Sequence, residues 1–363
     1  MAAESVMDCP TCGYFVFLET KACQRCDTAI GFHPPTMSFL PVVDGGVDVD
    51  GERWMRCAQW DWGCNWLLSE RDESARCFSC RLTRRRPEND DTIALEKLAE
   101  TSVAKRRLIV QLLELGLPIV PFHERDGGLG FDLVSSRSGE RVIIGHASGI
   151  ITIDLAETLD LHREMLRISL GEPYRTMLGH FRHEIGHYYQ WQLASEEPLV
   201  SECRALFGDE RVSYSEAIDR HYRFGAPDDW PASYISSYAT MHPWEDFAEC
   251  FAHYLHITGT LAPAARSAVT MAADRSRGFL AADVVPRRSY ADASADEMLS
   301  DWRWLSLMFN RINQTMGKGD LYPFTLVGPV VEKLAFVHRL VTNAAMGTTR
   351  RADPDRPATT ITP

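Results

Sequence analysis

The segment Gly179-His180-Phe181-Arg182-His183-Glu184-Ile185-Gly186-His187 carries a His-Glu-x-x-His pattern. On a helix, positions i and i+4 share a face, so His183 and His187 can aim two imidazoles at one metal ion. Glu184 then stands beside the metal, placed to take a proton from water. A zinc hydrolase needs a third protein donor and one open position. Gln190 stands where the short-spacer form of this pattern has glycine, so that form is excluded. Fifty-eight residues beyond His187, Glu245 and Glu249 stand at i and i+4 behind Pro243, a residue suited to a first helical turn. Glu245 is the expected third ligand, with Asp246 as its competitor. Glu249 is expected to accept a hydrogen bond from a ligand histidine and fix its tautomer.

A second kind of chemistry lies upstream. Eight of the ten cysteines fall before residue 81, as Cys9-x-x-Cys12 with Cys23-x-x-Cys26, then Cys57 and Cys64 with Cys77-x-x-Cys80. Paired knuckles aim four thiolates at one point, which suits tetrahedral Zn2+. The rivals are a disulfide framework and a redox-active CxxC. The first has no apolar leader segment to support it, and the second does not explain two sets at ribbon spacing. Two structural zinc ions are therefore expected beside one catalytic ion. Cys203 and Cys250 are left as core thiols.

The elements that must position these groups follow from periodicity. Apolar residues recur at helical spacing from 92 to 115, and short β-type runs occupy 119–122, 129–134, 141–144 and 150–155. Helices are expected at about 157–170, 173–193, 209–223, 232–240, 244–258, 296–315 and 328–344, with one more helix and a loop in 261–294. Residues 348–363 carry three prolines and no apolar pattern, which predicts a disordered tail. The expected fold is α+β: zinc ribbons over 1–40 and 41–86, a linker and helix over 87–116, a catalytic core over 117–260, and a helical C-terminal subdomain over 261–345.

Composition narrows the function classes. The 363 residues carry a formal net charge of −12. Residues 1–86 hold ten Lys or Arg against twelve Asp or Glu, which argues against a nucleic-acid partner. Arg81, Arg84, Arg85 and Arg86 are read as the solvated start of a linker, and Trp54, Trp60, Trp62 and Trp66 as cover for the second ribbon. No apolar run approaches the roughly 20 residues that span a bilayer. A cytoplasmic location is expected.

The chain as a whole, over about 1–345, resembles a bacterial family of zinc-binding metallopeptidases that carry an N-terminal zinc-ribbon region, related to the gluzincins. The matching stretches are 145–153, 171–175 running into HFRHEIGHYY at 180–189, 204–210, HPWEDFAECFAHYLH at 242–256, and 320–324. Cys250 departs from the polar or small residue expected there. The resemblance implies a zincin-like catalytic domain, with a small mixed sheet and an active-site helix, that hydrolyses peptide or protein substrates. His183, His187 and Glu245 would hold the metal and Glu184 would act as general base. Tyr238, seven residues before Glu245, stands where some gluzincins have a tyrosine that stabilises the oxyanion; His242, His253 and Tyr254 are its alternatives. The strand over 149–155 would pair with an extended substrate. The competing reading is a non-catalytic module that binds a protein or nucleic-acid partner, against which an intact Glu184 speaks. Oligomeric state is not legible.

Overall fold

The structure, a computed structural model, describes residues 7–88, 90–136, 142–155 and 176–347. The helix expected over 157–170, the family-like stretch 171–175 and the tail beyond 347 lie outside these residues. The fold is α+β, with two four-cysteine clusters first, then a small mixed sheet and a mainly helical C-terminal part. The described residues form two compact units, 7–155 and 176–347. No helix among them is long and apolar enough to cross a membrane.

The first unit begins with the ribbons. Strands β1 (Ile30–His33) and β2 (Ser38–Pro41) form a hairpin, and β3 (Gly46–Val49), β4 (Glu52–Arg56) and β5 (Leu67–Ser69) form a three-stranded antiparallel sheet. The two ribbons share a core. Asn65 is fully buried and donates to the carbonyls of Leu18 and Thr20 at 2.6 and 2.9 Å. Trp66, also fully buried, lies 5.1 Å from the Phe32 ring. The tryptophans divide accordingly: Trp54 packs on His33, Trp60 takes the cations of Lys21 and Arg56 on its ring, and Trp62 remains exposed.

After the short helix α1 (Phe78–Arg81), the chain enters β6 (Thr83–Arg85). The arginine run is thus a strand end, not a linker start: β6 pairs in parallel with β7 (Gly130–Val134). Arg84 reaches across to the buried Asp132 with two hydrogen bonds of 2.9 and 2.5 Å, which is what turns these residues toward the sheet. Helix α2 (Thr92–Glu114) is capped by Asp91, whose side chain accepts from the Ala94 N–H. The sheet closes with β8 (Gly145–Ala147) and β9 (Ile150–Asp154) in the order β6-β7-β9-β8.

Two strand expectations change. Residues 119–122 contribute only an isolated bridge between Pro121 and Leu129, and of the run placed at 141–144 the described residues, 142–144, are not strand, β8 starting at Gly145. The strand over 149–155 forms as read, but it is not an edge. It pairs with β7 along its whole length and with β8 over Ile150, Ile151 and Thr152. Over Ile150–Thr152 both sides of the strand are taken, so a substrate does not pair along that stretch. His146 holds the β8–β9 turn: its Nε2 accepts from the Gly149 N–H.

The second unit is helical. Its first described helix, α3 (Met177–Leu193), is capped by Thr176, whose hydroxyl accepts from the Gly179 N–H at 3.0 Å. Then follow α4 (Leu199–Phe207), which sequence periodicity did not separate from its surroundings, and α5 (Tyr214–Phe224). The helix expected over 232–240 is two short 3-10 turns, Trp230–Ala232 and Tyr238–Thr240. The central helix is α6 (Pro243–Arg266), followed by α7 (Ala295–Thr315), which starts with a Ser294–Glu297 capping box, and α8 (Gly328–Ala345).

Helix α6 is buried along most of its length because α3, α4, α7 and α8 all pack on it. Stacked rings mark the core: Tyr189 on Phe251 at 5.5 Å, Phe247 on Phe251 at 6.1 Å, and Phe207 against Phe247 at 5.3 Å. The approach of α3 to α6 depends on Gly186. A Cβ there would lie 2.9 Å from the Cα of Ala248, below ordinary van der Waals contact. This glycine, inside the His-Glu-x-x-His segment, lets α3 and α6 pack backbone to backbone.

Candidate functional site

Helices α3 and α6 bring His183, His187 and Glu245 together. His183 Nε2 lies 3.2 Å from His187 Nε2 and 2.9 Å from Glu245 Oε2, and His187 Nε2 lies 3.5 Å from the same oxygen. Donors around a tetrahedral zinc at its usual bond lengths stand about 3.3 Å apart. The triangle therefore has the right size for one ion, with a fourth corner left for water or substrate. The three side chains are largely buried, with Glu245 only 1% exposed.

Each donor is held from behind. His183 Nδ1 is 2.8 Å from Glu249 Oε1, and Glu249 Oε2 accepts from the Ser236 hydroxyl at 2.7 Å. Glu245 Oε1 accepts from the Tyr214 hydroxyl at 2.8 Å, leaving Oε2 for the imidazoles. Glu249 thus stands where the i, i+4 argument puts it. Tyr214 and Ser236 carried no signal in the sequence. They come from α5 and from the loop before Tyr238–Thr240, with no fixed spacing from the ligands, and only packing selects them.

Charge in the site follows from this wiring. Burial opposes the His183 imidazolium, but Glu245 and Glu249, one on each ring nitrogen, outweigh it and raise its pKa well above the ordinary value. Burial likewise favours the neutral acid at Glu245, yet the two histidines hold it well below the usual carboxylate range. A metal entering this group replaces a proton.

Glu184 faces the same imidazoles. Burial would raise its pKa, but the hydrogen-bonded His180 and the charges of His183 and His187 lower it, so the carboxylate is ionised. One oxygen, Oε1, is 3.2 Å from His180 Nε2; the other, Oε2, is buried without a hydrogen-bond partner. An orphaned carboxylate oxygen beside a three-donor triangle is what a bound water would satisfy.

The remaining candidates sort by their partners. The Tyr238 ring sits 5.8 Å from the His183 ring. His242 caps α6: its Nδ1 accepts from the Trp244 N–H at 3.1 Å and its Nε2 donates to the Val212 carbonyl at 3.2 Å. His253 bonds the Tyr322 hydroxyl at 2.8 Å, and Tyr254 bonds His338. Asp246, the rival to Glu245, points to α8, where Lys333 Nζ donates to it at 2.6 Å. Cys250 donates to Asp246 and Cys203 accepts from Gln190, so both are buried thiols held by neighbours.

The cysteine clusters have a different geometry. In the first, Cys9 and Cys26 sulfurs are 3.6 Å apart, as are those of Cys12 and Cys23. In the second, Cys64 lies 3.6 Å from Cys77 and 3.8 Å from Cys80, and Cys57 completes the group. Sulfurs in a disulfide are about 2.05 Å apart; on the corners of a zinc tetrahedron they are about 3.8 Å apart. Both sets fit the metal and not the disulfide.

Comparison with known proteins places these findings. A family described as "Putative zinc-binding metallo-peptidase" matches residues 94–340, and a zinc-ribbon domain matches residues 6–91. An uncharacterized protein of Mycobacterium tuberculosis (strain H37Rv) is 44% identical over 339 residues, covering 93% of this chain and 95% of the relative. An uncharacterized protein of Mycobacterium bovis matches at the same identity and coverage. No solved structure matches the chain.

Proposed function

Since the chain belongs to this zinc-binding metallopeptidase family, we propose that it is an active zinc peptidase, with His183, His187 and Glu245 as ligands and Glu184 as general base. The observation that carries the reading is the Glu184 carboxylate: buried, ionised, steadied on one oxygen by His180 and unpartnered on the other. A site that only stored metal would have no use for it.

When bound, Zn2+ supplies Lewis acidity that polarises the scissile carbonyl and lowers the pKa of water toward about 7. Glu184 Oε2 takes the proton from the attacking water, and the same carboxyl then delivers it to the departing amine. His180 keeps Glu184 oriented through both transfers. Glu249, backed by Ser236, fixes the His183 ring so that Nε2 faces the site, and Tyr214 does the same for Glu245. Tyr238, beside His183, is assigned to donate a hydrogen bond to the developing oxyanion. The four-cysteine groups take two structural zinc ions, for three per chain. Thiolates kept for metal fit a reducing cytoplasm, where we place the protein, and its substrates are peptides or proteins.

Mass-spectrometric cleavage profiling of a peptide library tests the proposal. Glu184→Gln keeps three zinc ions and loses cleavage by about 10²–10⁴-fold, the range for a general acid–base. Equal cleavage by the variant removes Glu184 from the chemistry.

A further inference from the structure

The first unit contains a cleft of about 70 Å³ beside the second cysteine cluster, between the ribbon and α2. It has room for a handful of waters or one tetrahedral oxyanion. Its lining includes five cations, Arg76, Arg84, Arg86, Lys105 and Arg106, and no carboxylate. Such a concentration is unusual in a segment whose overall balance is acidic.

Two of these cations are deeply buried. Lys105 is 1% exposed and donates to the Ser79 carbonyl at 2.7 Å and to the Thr83 hydroxyl. Arg106 is 2% exposed; its Nη2 donates to the Gly63 carbonyl at 2.9 Å, while its Nε is buried with no hydrogen-bond partner. A buried guanidinium with an unused donor is costly unless an acceptor reaches it. If Arg106 served only to dock α2 on the ribbon, the Gly63 contact would suffice and a neutral donor would do.

Charge arithmetic gives the class of acceptor. Asp132 neutralises Arg84. Four thiolates on one divalent ion carry a net charge of −2, which offsets two more of the five cations. The lining itself still holds cations and no carboxylate, so the acceptor that suits it is an oxyanion such as phosphate. Guanidinium forks suit its tetrahedral oxygens. Trp62, 53% exposed, stands in the lining with its ring available to a planar group.

We propose that this cleft is a binding site for a phosphate dianion, either free or as the phosphate group of a small ester. It lies outside the His-His-Glu group and is independent of the peptidase reading.

Isothermal titration calorimetry of the full zinc-loaded chain with inorganic phosphate, at constant ionic strength, tests it. One saturable site per chain is expected, weakened at least about tenfold in Arg106→Gln or Arg76→Gln with zinc content unchanged. Arg76 is exposed, so Arg76→Gln decides the matter if Arg106→Gln fails to fold. Adenosine monophosphate binding more tightly than phosphate, with Trp62→Ala removing the difference, assigns the site to an ester; equal affinities assign it to free phosphate. Absence of saturable phosphate binding up to about 10 mM overturns the proposal. So does affinity unchanged in every variant that folds, or binding only to single-stranded oligonucleotides that phosphate does not displace.

Discussion

The cysteine clusters and the His-His-Glu group each have the size to hold one small ion, yet they are put together differently. Each cluster fills all four corners with protein sulfur, from knuckles whose backbone turns already aim the side chains. The histidine group supplies three corners, from two helices some sixty residues apart, and needs Tyr214, Ser236 and Glu249 to hold them. A closed site stabilises the fold around it. An open site depends on a fold that something else stabilises, here the aromatic core along α6.

Breaking a corner should therefore have opposite consequences in the two regions. Cys77→Ser removes a fully buried sulfur from the second cluster. Structural zinc in such sites contributes about 10–16 kcal/mol, so the first unit should lose its fold, visible as lost zinc and a lost cooperative melt. An unchanged melt would contradict a structural role. Glu245→Ala should do the reverse: zinc falls from three ions to two while the circular dichroism spectrum stays that of the wild type. If the wild type itself holds only two ions, the third site is wrongly assigned.

Smaller effects test the supports. Glu249→Gln should leave the helices intact and weaken zinc at the open site by about 10–100-fold, as loss of a partner to a ligand histidine does. Competition with a chromophoric chelator reads this directly, and unchanged affinity would mean that Glu249 does not orient His183. Ser236→Ala removes one hydrogen bond to Glu249 and should cost about 1 kcal/mol of stability. Its zinc affinity should fall between those of wild type and Glu249→Gln; an effect larger than that of Glu249→Gln would place Ser236 in a more direct role.

Local spacing made the candidate donors legible. Knuckles, His-x-x-x-His and Glu-x-x-x-Glu each lie within a turn or two of chain, where backbone geometry ties residue interval to direction. The long amphipathic helices were legible for the same reason. Where periodicity was short or mixed, expectation failed: 232–240 forms two 3-10 turns, and 83–85 joins a sheet although its arginines resemble a linker. Strand β9 shows the limit most clearly. Its residues announce a strand, but whether its edges are free depends on β7 and β8, and both are occupied.

By itself, the sequence determined the donor types, their pairing within each helix or knuckle, and the presence of a carboxylate beside them, because these follow from short-range geometry and side-chain chemistry. Tertiary packing alone decided that Glu245 rather than Asp246 faces the histidines, since Lys333 on α8 takes the Asp246 carboxylate. It also selected Tyr214 and Ser236 as supports, and gathered Arg76, Lys105 and Arg106 around one cleft. Contacts between residues distant in the chain are set by which faces pack together, and no local interval encodes that.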